Sequence, residues 1–121
     1  MKTRILVCGG RDYSDSEWFD NCMNHLVQHL KNDDILIIQR GARGADRLAK
    51  EWAEKRNVEQ IEFRADWNLH GKSAGYIRNK QMLDDGKPHM VVAFPGGRGT
   101  ANMVQLAHRA NLTVWQPGER R

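Results

Sequence analysis

Cysteine and proline are scarce in the 121 residues, with two of the first and three of the second. Neither number suits a fold stapled by disulfides or one built from extended proline-rich segments. Cys8 lies in an apolar run and Cys22 inside a helical pattern, without the spacing of a disulfide framework or a zinc site, so both read as buried thiols. Long hydrophobic runs are missing as well. The longest are strand-sized, far short of the ~20 residues of a membrane span, and the apolar stretch 5–8 is too short for the core of a signal peptide. The expected location is therefore the cytoplasm, with no membrane partner. Charge of one sign is not in large excess either: 19 Lys+Arg against 15 Asp+Glu leave a net charge of +4, which favours anionic partners without naming one. What is present, 40% apolar and 28% charged residues, is ordinary for a globular chain and excludes a disordered one. The length suits one domain over 1–121, with a polar tail at 116–121.

Apolar periodicity divides the chain into alternating strands and helices. Residues 2–8 read as a buried strand running into Gly9-Gly10. Ser14 or Asp15 caps a helix whose apolar positions Trp18, Phe19, Cys22, Met23, Leu26, Val27 and Leu30 follow helical spacing to about Asn32. A second strand spans 35–38. A helix then carries Ala45, Leu48, Ala49, Trp52 and Ala53 on one face, and a weaker strand follows at 58–63. A long loop is expected at 64–73, a helix at 74–85, a strand at 89–94, a helix capped by Thr100, and a last strand at 112–115. Strands separated by such helices imply right-handed parallel crossovers. The expected fold class is α/β: a single Rossmann-like three-layer α/β/α sandwich around a five-stranded parallel sheet of order 3-2-1-4-5.

That order sets the carboxyl ends of the first and fourth strands side by side, at the point where open α/β sheets bind ligands. Both strands end in glycine. Gly9-Gly10-Arg11-Asp12-Tyr13 follows one and Pro95-Gly96-Gly97-Arg98-Gly99-Thr100 the other, while Gly41-Ala42-Arg43-Gly44-Ala45-Asp46 follows the second strand. Glycines admit a ligand to the backbone, and the N–H groups at the start of a helix attract phosphate. The expected ligand-binding set is Gly9, Gly10, Arg11, Asp12, Gly41, Arg43, Gly44, Asp46, Arg78, Gly96, Gly97, Arg98, Gly99 and Thr100; the plainer alternative for each loop is a tight strand-to-helix turn. Gly71-Lys72-Ser73 copies the end of a phosphate-binding P-loop, but Asp66 stands where that motif needs its other glycine. Lys72 on this loop has two readings, a mobile cation that reaches a ligand and, the better of the two, a plain surface lysine.

Asp12, Asp46 and Asp66 are the acids that loops bring to the same edge, and so the candidates for catalysis. Each has a structural alternative: helix capping for Asp46, and pairing with Arg11 or Arg43 for Asp12. Tyr13 and Trp67 suit stacking on a base or plain packing. His25, His29, His70, His89 and His108 lack partners at ligand spacing, so no metal is expected, and no cofactor.

Cys8-Gly9-Gly10-Arg11-Asp12-Tyr13, Gly41-Ala42-Arg43-Gly44-Ala45-Asp46, Ala65-Asp66-Trp67, Gly75-Tyr76-Ile77-Arg78-Asn79 and Ala93-Phe94-Pro95-Gly96-Gly97-Arg98-Gly99-Thr100 together resemble the SLOG superfamily of Rossmann-like proteins, which includes the LOG phosphoribohydrolases and DprA. The resemblance is to its small YspA-type branch and covers nearly the whole chain. It implies a domain that binds nucleotides or nucleotide-derived molecules, in a branch proposed to sense ligands in phage and bacterial conflict. LOG enzymes carry Pro-Gly-Gly-x-Gly-Thr-x-x-Glu and an arginine on the preceding helix. Arg78 matches the arginine, but Met103 stands in place of the glutamate.

A thioether can neither steady an oxocarbenium ion nor activate water. The expected function is thus a sensor-type nucleotide-binding module that does not hydrolyse nucleoside monophosphates at enzyme-like rates; if any base release is seen, it is expected only in Met103→Glu. Two alternatives stand beside it. One is a phosphoribohydrolase or N-glycosidase-like enzyme with its acid moved to Asp12, Asp46 or Asp66. The other is a nucleic-acid-binding protein, suggested by a pI near 9.3 and by the likeness to DprA. The expected partners are a nucleotide-derived small molecule and further copies of the chain, as homodimer or higher oligomer, through Trp18, Phe19 and Trp52.

Overall fold

All five expected strands form, and they lie parallel in one sheet. The computed structural model describes residues 1–119. Along the chain it runs β1 (Thr3–Cys8), α1 (Ser16–Leu26), β2 (Ile35–Gln39), α2 (Ala45–Lys55), β3 (Glu59–Glu62), α3 (Trp67–His70), α4 (Ala74–Asp84), β4 (Met90–Ala93), α5 (Arg98–Arg109) and β5 (Thr113–Trp115). The sheet order is β3-β2-β1-β4-β5, with Ile5 opposite Ile37 on one side and Val7 opposite Val92 on the other. This is the three-layer Rossmann-like arrangement.

Alternate residues of a strand face opposite sides of the sheet, and the core divides accordingly. Ile5, Val7, Ile35, Ile37 and Val92 pack with Phe19, Cys22, Ala49 and Trp52 of α1 and α2. Leu6, Cys8, Ile38, Val91 and Ala93 pack with Met82 of α4 and with Met103 and Ala107 of α5. The central strands β1 and β2 are apolar on both faces because both faces are covered.

Three local expectations are corrected. The first helix ends at Leu26, not near Asn32. Its apolar spacing continues because the turn that follows still packs inward, with Val27 fully buried and bonded to Met23. Segment 64–73 is not one long loop: Asp66 accepts the N–H of Leu69 at 3.0 Å and starts α3, and a 3-10 turn at Gly71–Ser73 leads into α4. Thr100 does not cap α5. The cap position is Gly97, and Thr100 is a buried residue of the first turn. Elsewhere Asp15 accepts the N–H of Trp18 at 3.1 Å, as a cap should.

Phe19 and Trp52 are core residues, and Trp18 is half-buried with its indole N–H bonded to the Gly118 carbonyl. Phe19 and Trp52 are therefore taken up by the core, while Trp18 keeps part of its surface. The large apolar side chains that are exposed within the folded part are Trp67, Leu69 and Tyr76. No helix among the described residues is long and apolar enough to cross a membrane.

Candidate functional site

At the carboxyl edge of the sheet three loops lock together through their backbones. The N–H of Gly10 donates to the Pro95 carbonyl at 2.8 Å, and the Gly10 carbonyl accepts from Tyr13 and Ala45, each at 3.2 Å. A Cβ on Gly10 would lie 2.9 Å from the Pro95 oxygen and 3.0 Å from the Cα of Gly96. Gly44, at φ 82°, holds the left-handed conformation at the start of α2 while pressed against the backbone of Gly10 and Arg11. Close packing therefore accounts for glycine at 9, 10, 44 and 96. It does not account for Gly97, where a Cβ would meet nothing within 4 Å.

Beside this lock lies a cavity of about 390 Å³. One wall is Gly9, Gly10 and Arg11 after β1 with Arg40 and Ala42 after β2. A second part of the lining is Trp67, Lys72, Gly75, Tyr76, Arg78 and Asn79 of the α3–α4 segment. Gly97, Arg98, Gly99 and Thr100 at the start of α5 close the end. The first N–H groups of any helix lack partners within it, and here no side chain caps them. The positive end of α5 therefore faces the cavity uncapped.

Two arginines are buried in the walls. Arg40 is held on Asp46: its Nε donates to the carboxylate at 3.0 Å, its Nη2 to the same carboxylate at 2.8 Å and to the Gly9 carbonyl at 2.6 Å. The Arg40 backbone N–H also donates to Asp46, at 2.6 Å. Burial opposes the charge on Arg40, but the hydrogen bonds and charge of Asp46 hold its pKa above the usual value. Nη1 of Arg40 makes no hydrogen bond among the described residues, and a Cβ on Gly99 would lie 3.5 Å from it.

Arg78 is 8% exposed and makes no hydrogen bond or ion pair among the described residues; its Nε is buried without a partner. Burial, the like charge of Arg40 and that of Arg11 push its pKa down to about 10, with Asp46 opposing them. Beside it Asn79, fully buried, donates from Nδ2 to the Gly99 carbonyl at 3.1 Å and to Asn102 at 3.0 Å, tying α4 to the start of α5.

The residues expected from the sequence sort into three groups. Gly9, Gly10, Arg11, Arg78, Gly97, Arg98, Gly99 and Thr100 line the cavity. Asp12 and Gly96 lie across the glycine lock in an adjoining crevice with Tyr13, and Asp12 is exposed and paired with Arg43 at 3.3 Å. Tyr13 packs on Phe94, ring centroids 5.2 Å apart, so packing wins over base stacking there. Gly41 and Arg43 border a depression near Glu62, and Gly44 belongs to the lock.

Of the three candidate acids, Asp46 is spent on Arg40, Asp66 caps α3, and Asp12 faces the neighbouring crevice. Among the described residues no carboxylate lines the cavity. Met103 does not line it either. Its side chain is fully buried in the apolar layer beneath α5, so glutamate there would be buried among apolar groups instead of completing the cavity. Burial pushes the Cys8 thiol up to about 12, which fits an inert core group. Among the described residues no three His, Cys, Asp or Glu side chains gather as a metal site.

Sequence reasoning missed Arg40, gave Asn79 and Tyr76 no role, and ranked Lys72 as a surface lysine ahead of a ligand-reaching cation. For Arg40 a signal existed: Gln39-Arg40 is an abrupt polar end to an otherwise apolar central strand.

A profile described as the YspA, cpYpsA-related SLOG family matches residues 3–70. The chain is 35% identical to the Gene 61 protein of Mycobacterium phage D29, over 97% of this chain and 98% of that one. Among solved structures it is similar to DNA processing protein A (DprA) from Streptococcus pneumoniae, with a TM-score of 0.76 and 17% identity. That match covers 98% of this chain but only 51% of the DprA chain, so the protein spans about half of that neighbour. The structure of TM1055 matches with a TM-score of 0.70 and 17% identity, over 94% of this chain and 72% of the other.

Proposed function

The chain belongs to the YspA, cpYpsA-related SLOG family, and from that premise we propose that it is a binding module for a phosphate-bearing, nucleotide-derived small molecule, held in the cavity between α4 and α5. One observation carries this reading: Arg78, a buried guanidinium without an acceptor among the described residues, lines the same cavity as the uncapped start of α5. A buried unpaired charge is costly, and a phosphate supplies the acceptors and negative charge that both features lack. Trp67 and Tyr76 line the same cavity while half-exposed, and give an aromatic ring a surface on which to stack.

Binding suits this cavity better than bond cleavage. Opening an N-ribosidic bond calls for a group that activates water or steadies positive charge on the sugar, and the lining side chains are cationic, polar or aromatic without a carboxylate.

Isothermal titration with nucleoside monophosphates and the parent nucleosides tests the proposal. The expected result is that monophosphates bind and nucleosides bind at least about tenfold more weakly, with Arg78→Gln erasing that difference. Equal binding of nucleosides and monophosphates, or full binding in Arg78→Gln, overturns it.

A further inference from the structure

Over the outer surface Lys2, Arg43, Arg47, Lys50, Arg64 and Lys80 each have a carboxylate partner, while Lys31, Lys55, Lys87 and Arg109 stand apart in solvent, where water screens their charge. The cavity differs in gathering its cations around one space. In the cavity walls Arg11, Lys72, Arg78 and Arg98 have no carboxylate partner among the described residues, and Arg40 keeps Nη1 free although Asp46 balances its charge. Four uncompensated cations and a helix N-terminus thus converge on one cavity of about 390 Å³ without a lining acid. Like charges so close repel, and one monophosphate, at most doubly negative, leaves most of that repulsion standing.

We propose, resting on the reading above, that the ligand carries at least two phosphate groups, as a nucleoside diphosphate or a dinucleotide of the pyrophosphate type. The first phosphate takes the site of Arg78, the Nη1 of Arg40 and the N–H groups opening α5. The second lies toward Arg11 and Lys72, which line the cavity from two separate segments, the loop after β1 and the turn before α4. These two side chains are exposed and mobile in reach, so they close on a second phosphate without moving the backbone. The placement of Arg11 near Arg78 agrees with the downward pull that Arg11 exerts on the Arg78 pKa.

The test compares phosphate with pyrophosphate, and AMP and GMP with ADP and GDP, by isothermal titration without magnesium at several salt concentrations. Inorganic probes make the outcome independent of which base the protein prefers. The expected result is that each diphosphate binds at least about tenfold tighter than its monophosphate, with a steeper loss of affinity in salt. In Arg11→Gln/Lys72→Gln that ratio falls toward one. Both substitutions fall on exposed side chains, so folding is retained, and thermal unfolding without ligand verifies it. Equal affinities for mono- and diphosphates in the wild type overturn the two-phosphate inference and leave the phosphate site standing. An unchanged ratio in the double variant overturns the assignment of Arg11 and Lys72. No binding of phosphate, pyrophosphate or any of the nucleotides overturns both this inference and the reading it rests on.

Discussion

Arg40 and Arg78 are both buried in the walls of one cavity, yet one is bound by a carboxylate and a backbone carbonyl and the other, among the described residues, by nothing. Their difference separates what holds the site together from what the site is for. Arg40 belongs to the frame: with Asp46 it fastens the end of β2 to the start of α2 and to the Gly9 carbonyl after β1. Arg78 stands on that frame as a charge the fold itself does not satisfy, which is the expected mark of a binding residue.

Breaking the frame gives the largest effect. Asp46→Asn leaves the Arg40 guanidinium buried without its counter-charge, so stability falls by about 3–5 kcal/mol in urea unfolding. Replacing both partners, Arg40→Met with Asp46→Leu, costs less than that single change, because no charge is then stranded. A double variant less stable than Asp46→Asn would show that the pair holds the loops by attraction and not by mutual neutralisation.

The glycines repeat the contrast between frame and site. Gly10→Ala forces a Cβ against the Pro95 oxygen and the Gly96 Cα, at a cost of about 1–3 kcal/mol from overpacking. Gly97→Ala has open space and stays within about 0.5 kcal/mol of wild type. Gly97→Val places a branched side chain at the approach to the α5 N-terminus, and is expected to weaken nucleotide binding about tenfold or more while unfolding cooperatively. Thermal unfolding with and without nucleotide separates the two positions.

Arg78→Met is the counterpart to Asp46→Asn on the site side. It removes an unsatisfied charge and keeps the apolar stem, so the ligand-free protein is as stable as wild type or gains about 1–2 kcal/mol, whereas phosphate-dependent binding is lost. A clear loss of stability would mean that Arg78 has a structural partner after all.

Much of this arrangement was legible in the sequence because backbone periodicity and strand order are coarse properties. The apolar runs at β1, β2 and β4 and the helices between them fix the sheet, and the sheet order alone brings Gly10 beside Gly96. What was hidden depends on the direction of single side chains. Arg40 is one residue past β2, where the pleat aims it at Asp46 and the cavity. Met103 falls at i+3 from Thr100 and four before Ala107, the buried stripe of α5, so its apolar character reflects the core it fills. The motif comparison alone placed it in the site. Segment 64–73 was hidden for another reason: it lacks apolar periodicity, and the single cap at Asp66 that folds it also carries Trp67 and Lys72 to the cavity wall.

The smallest expected effect lies outside the cavity, where charges are satisfied in the manner of Arg40 but near solvent. Glu62, at the end of β3, accepts from Gln39 Nε2 at 3.1 Å, pairs with Arg64, and lies 3.8 Å from Lys50. The hydrogen bonds of Gln39 and then of Arg64 hold its carboxyl below the ordinary 4.5; burial opposes them, and the charges of Arg64 and Lys50 add smaller pulls downward. A carboxyl whose pKa is lower folded than unfolded binds fewer protons in the folded state, so its contribution is present above pH 4.5 and is lost as pH falls through the folded value. The side chain is 21% exposed, and solvent screening keeps the contribution under about 1 kcal/mol. Urea unfolding of wild type and Glu62→Gln from pH 7 to pH 3 reads it directly. The two curves are expected to stay separated above about pH 4.5 and to converge below it, while nucleotide affinity at neutral pH is the same in both. A gap that persists or widens in acid would mean that Glu62 acts through packing, and that satisfied charge at this edge contributes nothing of the kind seen at Arg40.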